Sequence, residues 1–199
     1  MNFELVIATT NKHKVEEYRN ILSKHGITLY SFTDLNITLP EVVEDGLTFK
    51  ENALKKVIAA SKLVKMPVIA DDSGLCIKAL KGFPGILTAR FASECGGQIN
   101  ANKKIVELLK DKKDKSAKFK CVIALANLAE SPLIFEGDVE GRIADTYKGE
   151  TSFGYDPIFI SNEVNKTFHV IDKKIKNDIS HRANACKKLI TMLKVNNLI

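Results

Sequence analysis

The chain has 199 residues, 45% of them hydrophobic and 27% charged, with a formal net charge of +6 and a pI near 9.0. That length suits one domain with a sizeable core, and the composition excludes disordered and fibrous classes. No apolar run approaches the roughly 20 residues of a membrane span. The opening MNFELVIATT has neither the basic segment nor the small-residue cleavage site of a signal peptide. A cytoplasmic protein with no membrane partner is therefore expected. The four cysteines, Cys76, Cys95, Cys121 and Cys186, are far apart and form no CxxC pair, so reduced thiols are expected rather than a disulfide framework or a thiolate metal site. The positive charge raises the question of nucleic acid. The lysines, however, alternate with acids, as in KKIVELLKDKKDKSAKFK, which suits a solvated helix face and an anionic small molecule better than a binding groove.

In chain order, Phe3 to Ala8 reads as a first strand, and Ile27 to Ser31 as a second. Between them Thr9, Thr10 and Asn11 are turn and cap formers, after which Val15, Tyr18, Ile21 and Leu22 recur at helical spacing. A polar segment, LPEVVEDG, precedes a second helix from about Thr48 to Val64, with Phe49, Ala53, Val57 and Ala60 on one face. A short strand follows and ends in ADDSGL. Leu75 to Leu80 reads as another strand, closed by the turn KGFPG. Asn100 to Lys110 is expected to be helical, Ala117 to Ala129 and Leu133 to Ile143 to be strands, and Pro157 to Ile160 a short strand. A last helix is expected from about Ser180 to Leu193, with Ala183, Cys186, Leu189, Ile190 and Leu193 inward. Helices and strands alternate early and strands pair late, which predicts an α/β fold, a mixed sheet with helices on both faces, as one continuous unit over residues 1–199.

Five stretches can carry chemistry. TTNKHK, Thr9 to Lys14, takes a strand into a helix, where free backbone N–H groups and the positive end of the helix dipole can receive an anion. No GxxxxGK[ST] phosphate loop is present. FKENALKKV places Asn52 and Lys56 on one helix face. ADDSGL puts Asp71 and Asp72 side by side at a strand end. Two like charges there need a cation, and Mg2+ suits such oxygens, usually together with water and phosphate. One acid can hold the metal while the other takes a proton from water. Glu41 and Glu44 are further candidate ligands. SFGYDPIF offers Phe153 or Tyr155 for stacking on a base. ISHRANA places His181 and Arg182 in a first helical turn, where cations oppose the dipole; such a broken local rule often marks a site.

TTNKHK, FKENALKKV, ADDSGL, GFPGILTARF, FEGDVEGRI, SFGYDPIF and ISHR occur in this order over nearly the whole chain. Together they resemble the inosine triphosphate pyrophosphatase family. The resemblance implies a Mg2+-dependent hydrolase, usually a homodimer, that cleaves non-standard purine nucleoside triphosphates such as dITP, ITP and XTP to the monophosphate and pyrophosphate, cleansing the nucleotide pool. It also implies an elongated two-lobed fold around a long mixed sheet, with the substrate in a cleft between the lobes. Thr9, Thr10, Asn11, Lys12, His13 and Lys14 then resemble the family's phosphate loop, and Lys56 its helix lysine. Asp72 resembles the catalytic acid and metal ligand, with Ser73 at the substrate. Glu41 or Glu44 takes the place of a second metal-binding acid. Phe153, Gly154, Tyr155, Asp156, Lys176, His181 and Arg182 resemble the base and substrate contacts.

The chain departs from the family's pattern at Thr10, where glycine is common, and at Thr151 and Ser152, where glycines often precede FGYD. It departs again in the basic run TFHVIDKKIKNDISHR, which is usually acidic and makes Lys176 one lysine among several. Two other readings follow from the same residues: a nucleic-acid-binding protein, from the charge, and a related pyrophosphatase of the Maf-like type acting on pyrimidine or modified nucleotides.

Overall fold

A computed structural model describes residues 3–148 and 153–199. Strands β1 (Phe3–Ile7), β2 (Ile27–Ser31), β3 (Val68–Ile77), β4 (Ser116–Ala126), β5 (Leu133–Ile143) and β6 (Phe159–Ser161) form one six-stranded sheet in the order β2-β1-β3-β4-β5-β6. The helices are α1 (Lys12–Leu22), α2 (Phe49–Ser61), α3 (Thr88–Glu94), α4 (Gln98–Leu108), α5 (Lys173–Ile179) and α6 (His181–Val195). β1 pairs in parallel with β2, Phe3 opposite Ile27, and with β3, Val6 opposite Val68. β5 and β6 are antiparallel, with Arg142 opposite Ile160, so the sheet is mixed.

Backbone contacts divide the chain into two compact units. One comprises Met1–Asp72, Cys121–Gly137 and Arg182–Ile199; the other comprises Ser73–Lys120 and Asp138–His181. The first unit is organised by β1, whose Leu5, Val6 and Ile7 are all fully buried. A strand buried on both sides needs helices on both faces of the sheet. On one face Leu5, Ile7, Ile69, Cys121 and Ile123 pack with Val15, Tyr18, Ile21 and Leu22 of α1 and with Ala183, Cys186, Leu189, Ile190 and Leu193 of α6. Successive strand residues alternate sides, so Val6, Val68 and Ala70 are left for the other face, where α2 buries Phe49, Ala53, Val57 and Ala60. The second unit closes around Leu75, Ile77, Ala101, Ile105, Phe119 and Val139, with Phe159 packed at 4.6 Å from Phe119 and 5.1 Å from Phe168 between ring centroids. No helix among the described residues is long and apolar enough to cross a membrane.

Four expectations need correction. ADDSGL does not end a strand: β3 runs through it from Val68 to Ile77, so Leu75 to Leu80 is no separate strand and Lys78–Leu80 is a turn of 3-10 helix. The second helix stops at Ser61, and the fourth runs from Gln98 to Leu108. α3 and α5 lie in segments with no apolar periodicity. In α5 the cap carries the signal instead, since Asp172 accepts the N–H of Lys174 at 2.6 Å.

Candidate active site

The two acids of β3 are buried, Asp71 at 3% and Asp72 at 8% exposure. An ionised carboxylate in a sheet interior requires cations. As neighbours on a strand the two point to opposite faces, and each finds its own.

Asp71 faces α1 and α6. Lys14 Nζ binds both of its oxygens, at 2.8 and 2.9 Å, and Arg182 Nε lies 3.6 Å from Oδ2. Arg182 also donates to Glu17 Oε2 at 2.8 Å, so two cations and two anions balance in one buried group. Beneath them Tyr18 Oη and Cys121 Sγ are 3.4 Å apart, and Cys121 Sγ is 4.0 Å from Asp71 Oδ2. Burial alone would push the Asp71 carboxyl up. The charges of Lys14, Arg182 and Lys56 overcome it and hold the group far below the usual carboxylate range. For Arg182, burial works against the charge, but Glu17 and Asp71 outweigh it and keep the guanidinium firmly protonated.

Asp72 faces α2. Lys56 Nζ binds its Oδ1 at 3.0 Å, and Asn52 Nδ2 donates to its Oδ2 at 3.3 Å. The same ammonium binds Glu44 Oε2, also at 3.0 Å. Burial raises the Asp72 pKa above its ordinary value, against the pull of Lys56. Lys56 is itself raised: burial lowers it, but Asp72, Asp71 and Glu44 more than compensate. Both glutamates that the sequence leaves open are exposed, and Glu44 is the one joined to Asp72 through Lys56.

The TTNKHK loop differs from its expected form. Asn11 caps α1 and its Oδ1 accepts the N–H groups of His13 (3.0 Å) and Lys14 (3.3 Å), so those two amides are not open to an anion. Thr9 Oγ1 accepts from Asn11 N at 3.2 Å. Thr10, Lys12 and His13 are exposed.

The remaining candidates lie in the second unit. Thr151 and Ser152 fall outside the described residues. Gly154 has φ +58°, a left-handed conformation that glycine adopts without strain. Asn102, itself oriented by Gln98 Nε2 at 3.1 Å, donates to the Gly154 carbonyl at 3.1 Å. Tyr155 is 1% exposed, belongs to the core and donates to Thr88 O at 3.4 Å, while Phe153 is only half-buried. Lys176 is set apart from its lysine neighbours. It is half-buried, pairs with Asp156 at 2.5 Å and stands 5.6 Å over the Phe153 ring and 5.7 Å over that of Phe168. His181 stacks on Phe119, centroids 4.8 Å apart and planes 15° apart. Ser73 is half-buried in β3, beside Asp72.

Sequence reasoning overlooked Glu17, Cys121 and Asn102. Glu17 did carry a signal, since it falls on the apolar face of α1 between Lys14 and Tyr18, where an acid needs a cation. Nothing local marks the other two.

Among known proteins, a dITP/XTP pyrophosphatase of Bacillus subtilis is 44% identical over 192 residues, covering 96% of this chain and 96% of its own length. One of Desulfotalea psychrophila is 40% identical over 185 residues, covering 93% and 82%. The solved structure of the Staphylococcus aureus Ham1 protein superposes with a TM-score of 0.84 at 38% identity, covering 97% of this chain and 99% of that one. The model of the Ham1 family matches residues 5–192, and the chain belongs to that family.

Proposed function

We propose that the protein is a pyrophosphatase of non-standard purine nucleoside triphosphates, cleaving dITP, ITP and XTP between the α- and β-phosphorus and so keeping such nucleotides out of DNA and RNA. Relatives named dITP/XTP pyrophosphatase at about this length support the reading. The observation that carries it is the single ammonium of Lys56 shared at 3.0 Å by Asp72 and Glu44. Those two oxygens already accept one common cation, and carboxylate oxygens plus phosphate and water are the ligands that Mg2+ prefers. The residues therefore fit a divalent ion, which Asp72 and Glu44 would hold. When bound, it neutralises triphosphate charge and polarises the phosphoryl group.

The chain's own residues do the rest. Lys56 supplies positive charge to the triphosphate, Lys14 adds its charge from the Asp71 side of β3, and Lys12, His13 and the hydroxyls of Thr9, Thr10 and Ser73 are further contacts, with Asn11 holding the loop. A water oxygen bonds to the α-phosphorus, the bond to the bridging oxygen breaks, and pyrophosphate leaves. Asp72 accepts the water's proton. Phe153 stacks on the base, with Gly154, Tyr155 and Asp156 shaping the loop and Lys176 pinning it. Donors toward the C6 oxygen of hypoxanthine or xanthine come from His181, Arg182 or nearby backbone. Adenine presents an amino group there, donor against donor, and is rejected. Guanine keeps the C6 oxygen, so its rejection rests on a pocket that disfavours its 2-amino group while accepting the 2-oxo group of xanthine. The whole chain acts as one catalytic domain, a cytoplasmic homodimer. Four thiols without a disulfide suit that reducing compartment.

The test is pyrophosphate release from dITP, XTP, dGTP, dATP and dUTP with Mg2+, in wild type and Asp72→Asn. Fast turnover of dITP and XTP alone, lost in the variant, is the expected result. Turnover of dUTP instead would favour the Maf-like reading. Salt-sensitive DNA or RNA binding with no turnover would favour the nucleic-acid reading. Turnover unchanged in Asp72→Asn would overturn the role of that residue.

A further inference from the structure

Asn52 has no part in the chemistry above, yet its side chain is fully buried in the first turn of α2. A buried amide must satisfy both of its ends. Oδ1 accepts the Gly46 N–H at 2.9 Å, and Nδ2 donates to Asp72 Oδ2 at 3.3 Å. The partners fix the orientation, because a flipped amide would set its carbonyl against the Asp72 carboxylate. Gly46 stands two residues after Glu44. One side chain thus ties the segment that carries Glu44 to the carboxylate of Asp72.

The neighbouring contacts run the same way. Leu47 N–H donates to Glu51 Oε2 at 2.6 Å, Lys55 pairs with Asp45, and Lys56 with Glu44 at 3.0 Å. The fit is close: a Cβ on Gly46 would fall 2.6 Å from Asn52 Oδ1 and 2.8 Å from Glu51 Cβ. Asn52 also divides the work of the Asp72 oxygens. It occupies Oδ2, which leaves Oδ1 on the side where Lys56 meets Glu44.

We infer that Asn52 is a positioning residue that sets the separation of Glu44 and Asp72 for one divalent cation. The inference rests on the reading of those two acids as metal ligands. Partners of this outer kind change metal affinity or activity by about 10- to 100-fold when removed.

The experiment measures Mn2+ binding from the free-ion electron paramagnetic resonance signal, and the Mg2+ concentration for half-maximal dITP turnover. Wild type, Asn52→Ser and Thr48→Ala are compared. Thr48 caps the same helix by accepting the Glu51 N–H at 3.1 Å and touches neither acid, so its loss reports a merely structural effect. Asn52→Ser should weaken Mn2+ binding and raise the Mg2+ requirement by about 10- to 100-fold. Thr48→Ala should leave both unchanged, and KM for dITP at saturating Mg2+ should stay near wild type throughout. Gly46→Ala, which crowds the same contact, should act as Asn52→Ser does and carries the test should that variant not fold. Equal effects of Asn52→Ser and Thr48→Ala, or none, would overturn the inference. A wild type that binds Mn2+ but hydrolyses no nucleotide would overturn the proposed function only, and the Mn2+ comparison would still decide the role of Asn52. A wild type that binds no Mn2+ would overturn the inference as well.

Discussion

Asp71 and Asp72 are adjacent in sequence, but Lys14 chelates the first and Lys56 holds the second, on opposite faces of β3. The two acids therefore do different work. Asp71 closes a buried group with Lys14, Arg182 and Glu17, whereas Asp72 shares Lys56 with Glu44. Removing Asp71's charge leaves Lys14 and Arg182 short of a buried partner. Asp71→Asn should lower unfolding stability by about 3–5 kcal/mol. Asp72→Asn leaves Lys56 its Glu44, so stability should change little, while kcat for dITP falls by about 10²- to 10⁴-fold with the loss of the base. Urea unfolding beside steady-state kinetics checks both. Equal stability losses in the two variants would refute this division of roles.

The same geometry sets a pH dependence. Asp71 is held well below its ordinary value of 3.8, so the folded state releases its proton more readily than the unfolded chain. Its contribution to stability is complete above the unfolded value and is lost as pH falls from there through the lower folded value. In acid titrations followed by circular dichroism, Asp71→Asn should be less stable at neutral pH but lose less stability on acidification. An acid limb as steep as that of wild type would show that Asp71 is not the group responsible.

How far the site could be read from sequence depends on the range of its contacts. β2 and β5 carry the residues that their apolar patterns predict, and α1 opens where Asn11 marks a cap. These are local signals. From sequence alone ADDSGL suggests a strand end, because two acids in a strand interior are costly. The partners that permit them come from 57 residues away for Lys14 and 16 for Lys56, while Arg182 meets Glu17 across 165 residues. Asn52 and Lys56 are legible as one helix face, but the segment closing over that face is not, since its contact rests on a glycine at position 46 whose need shows only in three dimensions.

Buried thiols offer a separate check on the packing beneath Asp71. Burial, with the Asp71 charge adding to it, pushes the Cys121 thiol up to about 12, and Cys186 is likewise raised well above its usual range by burial. A protonated, enclosed thiol is a poor nucleophile. At mildly alkaline pH a colorimetric disulfide reagent should modify Cys95 readily and Cys76 more slowly, since burial raises that thiol too, spare Cys121 and Cys186 in the native protein, and modify all four cysteines in guanidinium. Rapid labelling of Cys121 in the native state would contradict the closed floor formed with Tyr18.

The aromatic loop should act on binding rather than on chemistry. Phe153 lies under the Lys176 ammonium, which Asp156 fixes at 2.5 Å, while Asn102 holds the Gly154 carbonyl at 3.1 Å. Stacking of one base on an aromatic ring contributes about 1–3 kcal/mol. Phe153→Ala should therefore raise KM for dITP by about 5- to 150-fold while leaving kcat within an order of magnitude. Phe153→Tyr, which keeps the ring face, should restore most of the affinity. Lys176→Met retains apolar bulk but loses the ion pair and the cation over the ring, so it should fall between these two variants. Asn102→Ala should raise KM without touching the base, because the loop loses its carbonyl anchor. Steady-state kinetics on dITP and XTP separates these outcomes. A large fall in kcat with unchanged KM in Phe153→Ala would place that ring at the reacting phosphate rather than at the base.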